Sequence, residues 1–157
     1  MKAMVVRAYG APDALKLEDL PRPEPGPGEI LVEVHAVTVN RARDTMIING
    51  IPDKPETLPL VPGMDPAGRV AALGPGVGGL KVDDRVVITS RICCGDCPDC
   101  NDGHDGDCRN TVQVGIERWG GYAEFVAVPV ANADPIPENL SYAEAAVVLR
   151  HFPTAFQ

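Results

Sequence analysis

Positive charge is scarce in this sequence. Fourteen lysines and arginines stand against 22 aspartates and glutamates in 157 residues, a net charge of −8. Phosphate backbones are bound by cations that neutralise them, so this balance argues against a nucleic-acid partner and offers nothing to an anionic membrane. Long apolar runs are missing too: none approaches the roughly eighteen residues that a bilayer crossing needs. The opening MKAMVVRAYG has no extended hydrophobic segment of the kind a signal peptide carries. The expectation is a cytoplasmic protein. Cysteine is absent outside residues 93–108, and all five fall inside that stretch. In a reducing compartment such clustering points to metal or redox chemistry rather than disulfides.

What is present suits one globular domain with a real core, 45% of it hydrophobic. With 16 glycines, 16 prolines and only 4% aromatic residues, the composition favours short strands and many turns over long helices. There is no internal repeat. Alternation places Ala3, Val5 and Arg7 on one face of an opening strand and Met4, Val6 and Ala8 on the other, with residues 14–20 pairing beside it. PRPEPGPG (21–28) is a turn, since proline removes amide donors. EILVEVHAVTVN (29–40) is the clearest strand, with Ile30, Val32, Val34, Ala36 and Thr38 sharing a face. A short helix is expected from Arg41 to Asn49, stopped by Gly50. A proline-rich loop follows, then AGRVAAL and DRVVITS as strands around GPGVGG, and later YAEFVAVPV (122–130).

Ser141 and Glu144 in SYAE form a capping box ahead of a helical run. TAFQ, after Pro153, reads as the opening of a second helix, as though the chain were the front portion of a longer protein. GPGVGG satisfies G-x-G-x-x-G, but a dinucleotide turn must open a helix, whereas LKVDDRVVI follows here. A glycine-rich hairpin connection is the expected role.

Cys94, Cys97, Cys100 and Cys108 fall at C-x2-C-x2-C-x7-C, a ligand spacing. Four thiolates fill a tetrahedral zinc site and leave no position for water or substrate, so such a zinc is structural. It would give fold to a loop with almost no apolar residues of its own. The bacterial iron–sulfur signature ends in C-x3-C-P, and here the last gap is seven and Arg109 follows. A zinc ribbon that reads nucleic acid is poorly served by five aspartates lining the lobe, Asp96, Asp99, Asp102, Asp105 and Asp107. Cys93 is a spare thiol, and His104 a solvated loop residue rather than a ligand.

PRPEPGPGEILVEVHAVTVN, LPLVPGMDPAGRVAALGPGVGGLKVDDRVV, the cysteine lobe and GGYAEFVAVP together resemble the medium-chain dehydrogenase/reductase superfamily, the zinc alcohol dehydrogenases and quinone oxidoreductases. The resemblance implies a mostly β fold with a few short helices: a GroES-like, partly open β-barrel with an inserted zinc lobe at 92–110. The GroES-like domain would take residues 1–140. Residues 141–157 would then begin the helical connection to a Rossmann domain, not present in this chain, that binds NAD or NADP. Whole relatives imply a homodimer or tetramer.

In the zinc-dependent relatives the catalytic metal is held by a cysteine after the long strand, by a G-H-E histidine and glutamate, and sometimes by a later cysteine or glutamate. The matching positions look like Asn40, Met64 with Asp65, and Arg150. Of these Asp65 alone is a good zinc ligand, and Met64 reads as packing. VNRARD and PGMDPAG instead resemble the zinc-independent reductases, which pass a hydride from NADPH to a carbon–carbon double bond conjugated to a carbonyl. That resemblance implies a quinone, enone or enoyl substrate, with Asn40 or Arg150 helping to stabilise the enolate.

Arg41 matches an arginine that reaches the cofactor pyrophosphate, and a solvated helix-start residue is its alternative. Thr154 resembles a threonine beside the nicotinamide, or caps a helix. His151 is a candidate proton donor. Asp44 would orient Arg41 or Arg43 or form a surface pair, His35 would face solvent or be satisfied, and Trp119 would line a pocket or pack before a glycine turn. Two other readings stay open. One is a zinc-dependent alcohol dehydrogenase using atypical ligands such as Asp65 and His151. The other is a stand-alone zinc-stabilised binding module.

Overall fold

Period-two alternation of β-branched residues builds the sheet on which everything else is placed. The computed structural model describes residues 1–50 and 58–155, with the side chains of 151–154 left out of the description. The proline-rich connection at 51–57 therefore lies outside it. In chain order the elements are β1 (Lys2–Val6), β2 (Leu15–Asp19), β3 (Glu29–Val37), α1 (Arg41–Asn49), β4 (Pro66–Leu73), β5 (Arg85–Ile88) and β6 (Arg91–Ile92). Then come α2 (Pro98–Asn101), β7 (Val112–Gln113), β8 (Phe125–Pro129), β9 (Ala133–Pro135) and α3 (Tyr142–Ala155). The fold is mostly β, a curled half-barrel with three helices among the described residues. No helix among them is long and apolar enough to cross a membrane.

Five strands form one sheet in the order β8-β3-β4-β5-β9, every neighbouring pair antiparallel. Its inner face packs Ile30, Val32, Val70, Val86, Ile88, Val126 and Val128 with Val114, just past β7, into one cluster, each at most 1% exposed. Complete burial of side chains this size stabilises by about 1.5–3 kcal/mol each, which is why the central strands are fixed in register. The face predicted for β3 through Ile30, Val32 and Val34 is the one packed here. The strand ends at Val37 rather than Asn40: its pairing with β4 shifts register between Val34 and Ala36, runs on to Val37 opposite Pro66, and the chain then turns into α1. At that crossing β4 must be glycine: a Cβ on Gly68 would lie 1.9 Å from the Glu33 carbonyl oxygen.

The turn reading of GPGVGG holds. Gly76 and Gly79 have φ of 79° and 84° in the connection from β4 to β5, a conformation L side chains rarely adopt. The opening hairpin holds as well, with Val5 of β1 opposite Lys16 of β2. Glu144 accepts from the Ser141 amide at 2.8 Å while its own amide donates to Ser141 Oγ at 3.2 Å, closing the capping box. One expectation fails. Thr154 and Ala155 do not open a second helix, because α3 continues through Pro153 to Ala155. Ala145 and Ala146 lock α3 onto Ala67 and Val87 of the sheet. Pro153 then falls in the last turn, where the loss of its amide deletes a single backbone bond.

Candidate metal centre and reaction centre

The cysteine lobe hangs from a two-residue neck in which Arg91 of β6 pairs with Gln113 of β7. Gly95 and Gly103 turn the chain at φ of 77° and 75°, and Pro98 starts the single turn of α2. These turns bring together the Sγ atoms of Cys94, Cys97, Cys100 and Cys108, all within 4.8 Å of one another. Zinc–sulfur bonds of about 2.3 Å in a tetrahedron require sulfurs about 3.8 Å apart. Cys94 and Cys100 lie 3.9 Å apart, and Cys94 and Cys108 3.6 Å. The donor set therefore fits zinc in both chemistry and size.

Backbone amides of Cys94 and Asn110, helped by the neighbouring thiols, bring the Cys108 thiol down to about 7, toward the thiolate that a metal needs. The Gly95 amide donates to Cys100, yet burial and thiol neighbours push that thiol up. Cys93 stands apart and donates to the Asp105 carbonyl at 3.4 Å. His104 is exposed and precedes a 3-10 turn at Asp105–Asp107.

The second cluster forms where the end of β3, the start of β4, the end of β5 and α3 meet. Asp65 is 4% exposed. Its Oδ2 accepts from Thr38 Oγ1 at 2.9 Å, and its Oδ1 lies 3.3 Å from Arg150 Nη1. The same guanidinium nitrogen reaches Ser90 Oγ at 3.4 Å. The fold thus joins Asp65 and Arg150, two of the predicted residues, and adds Thr38 and Ser90, which sequence reasoning missed. Two hydroxyl residues carried no motif, and 85 residues separate Asp65 from Arg150.

Asn40 serves as N-cap of α1, its Oδ1 accepting from the Arg43 amide at 3.0 Å. Asp44 corrects an expectation. It does not orient Arg41 or Arg43; it is 6% exposed and accepts from the Asn40 amide at 2.8 Å and the Tyr122 hydroxyl at 2.5 Å. Facing inward from the first turn of α1, it meets a phenol rather than solvent cations. Burial, then the Asp44 carboxylate, pushes the Tyr122 phenol well above its ordinary range.

Arg41 is exposed at the first position of α1. It lines, with Val37, Val39, Asp44, Ile48 and Tyr122, an apolar groove of about 750 Å³. Met64 packs in the core with Val6 and Leu60. His35 stacks on Tyr142 with ring centroids 4.5 Å apart and sits 3.7 Å from Glu33, a satisfied surface histidine. Trp119 packs against the Ala3, Val5 and Val61 cluster and donates its indole N–H to the Pro59 carbonyl at 3.0 Å. The side chains of His151 and Thr154 lie outside the described residues.

A half-barrel sheet carrying a four-cysteine lobe, with an acidic and a basic residue meeting beside the helix that leaves it, defines a dehydrogenase-type catalytic fold. Residues 26–138 match the alcohol dehydrogenase GroES-like domain. The chain belongs to that family, within the medium-chain dehydrogenase/reductase superfamily. It is 35% identical over 139 residues to the L-threonine 3-dehydrogenase of Yersinia pestis (strain Pestoides F), covering 87% of this chain and 40% of that protein.

The crystal structure of an NAD-dependent alcohol dehydrogenase matches with a TM-score of 0.92 and 44% identity, over 100% of this chain and 46% of that one. A thermostable alcohol dehydrogenase from Pyrobaculum aerophilum, solved with cobalt and zinc bound, matches at 0.85 and 36%, over 94% and 44%. The chain thus spans less than half the length of these relatives.

Proposed function

We propose that the chain is the catalytic domain of an NAD(P)-dependent oxidoreductase with one structural zinc and no catalytic zinc, acting on a quinone, enone or enoyl substrate. Zinc on Cys94, Cys97, Cys100 and Cys108 would cross-link the lobe and, with four protein ligands, take no part in the reaction. The nucleotide, which a Rossmann domain of the whole protein would mainly hold, would supply the hydride. Arg41 and Thr154 are the residues of this chain assigned to touch it.

The zinc-free half of the reading is carried by one observation, the Asp65–Arg150 ion pair at 3.3 Å. Asp65, in PGMDPAG, resembles a metal-binding position of the zinc-dependent relatives, and here its carboxylate is engaged by the Arg150 guanidinium. A divalent ion beside that guanidinium would meet like-charge repulsion. Arg150 keeps 31% of its side chain exposed, enough to present N–H donors to an oxygen that gains negative charge. Asn40 holds the adjoining turn, and His151 is the assigned proton donor.

The relatives' names favour a second reading, a zinc-dependent alcohol dehydrogenase drawing on Asp65 and His151. Steady-state assays of the whole protein before and after chelation separate the two. Enone or quinone reduction that survives removal of weakly held metal supports the zinc-free centre. Alcohol oxidation that is abolished by chelation and restored by zinc supports the second reading.

A further inference from the structure

Four thiolates around zinc carry a net charge of −2, and this lobe surrounds them with Asp96, Asp99, Asp102, Asp105 and Asp107. That charge has to be spread onto N–H donors, because the local side chains add negative charge. Asn110 supplies such a donor. Its side-chain Nδ2 lies 3.9 Å from Cys94 Sγ, and it stands just beyond Cys108, whose own Sγ lies 3.6 Å from that of Cys94. One residue outside the ligand set, just past the last ligand along the chain, therefore reaches the first, which lies 14 residues before that last ligand in sequence.

We infer that Asn110 is a positioning residue for the metal, reaching Cys94 from the Cys108 end of the lobe, outside the coordination shell, and holding that thiolate toward the ion. Cys94 is the exposed ligand and Cys108 the buried one. Cys94 is thus where water and competing chelators would first reach the site, and the Asn110 side-chain amide reaches that sulfur at 3.9 Å. Donors behind metal ligands commonly contribute 10–100-fold to metal affinity. The inference rests on the structural-zinc reading.

The test is zinc transfer from the purified chain to a chromogenic chelator at fixed pH, for wild type, Asn110→Ala and Asn110→Asp. Asn101→Ala is the control, since the Asn101 amide donates to the Asp96 carbonyl at 3.2 Å, inside the lobe, rather than to a thiol. Both Asn110 variants should lose zinc at least about 10-fold faster, Asn110→Asp fastest because it adds a charge, while Asn101→Ala stays near wild type. In cobalt-loaded protein the thiolate-to-metal charge-transfer band should move to longer wavelength in the Asn110 variants, a change that loosened packing alone would not produce. Unchanged zinc retention in both Asn110 variants, or equal loss in Asn101→Ala, would overturn the inference. A wild-type chain that binds no zinc would instead sink the metal reading beneath it.

Discussion

The central sheet and the cysteine lobe are held together by different physics. The sheet buries Ile30, Val32, Val70, Val86, Ile88, Val126 and Val128 almost completely and needs nothing but its own side chains. The lobe from 93 to 108 has no leucine, isoleucine, valine, methionine or aromatic ring to bury, and ten of its sixteen residues are cysteine or aspartate. On the proposed structural-zinc reading, its order comes from converging thiols, tight glycine turns and an ion. A fold can therefore carry a segment without apolar content of its own, provided that a short neck such as the pairing of Arg91 with Gln113 anchors it to a sheet that is already stable.

Removing one thiol is the harshest way to break this contrast. Cys97→Ser should lose essentially all bound zinc, and hydrogen exchange should show residues 93–108 unprotected while β3, β4 and β8 keep their protection. Uniform loss across the chain would mean that the two regions are one cooperative unit. The converse substitution, Ile30→Ala, should lower global stability by about 2–5 kcal/mol in denaturant titration, with zinc content per folded chain unchanged.

Tyr122→Phe removes a hydrogen bond to the buried Asp44 carboxylate and should cost about 2 kcal/mol. Because the folded-state value of this phenol is raised, its contribution is whole below the ordinary tyrosine range of about 10 and is lost as pH climbs through the raised value. The alkaline decline in melting temperature should accordingly flatten in Tyr122→Phe. The smallest effect is expected at Glu29, paired with Arg118 at 2.7 Å on the sheet's rim. The hydrogen bond from Arg118 holds the Glu29 carboxyl below its usual value, so its contribution is present at neutral pH and lost as pH falls through that lowered value. Glu29→Gln should change stability by under about 1 kcal/mol and blunt only the acid limb.

Much of this was legible in the sequence, for local reasons. Strand alternation marked β1, β3 and β4; the Ser141–Glu144 spacing marked the start of α3; glycines with no helix after them marked a hairpin; and cysteine spacing marked a site that the fold closes to within 4.8 Å. What stayed hidden depends on distant contacts. Asp44 meets Tyr122 across 78 residues, so a buried acid read as a surface one. Ser90 and Thr38 acquire meaning only once β5 and the end of β3 bring them to Asp65 and Arg150. Pro153 signalled a helix break, and the packing of Ala145 and Ala146 overrode it.

The number of zinc ions per chain, measured by elemental analysis of the purified protein beside Cys97→Ser, tests the division between metal lobe and reaction centre most directly. One zinc in the wild type and none in the variant is the predicted result, matching a structural lobe and a reaction centre built on Asp65 and Arg150. Two zinc ions, with one surviving the substitution, would contradict it and assign a metal to the reaction centre.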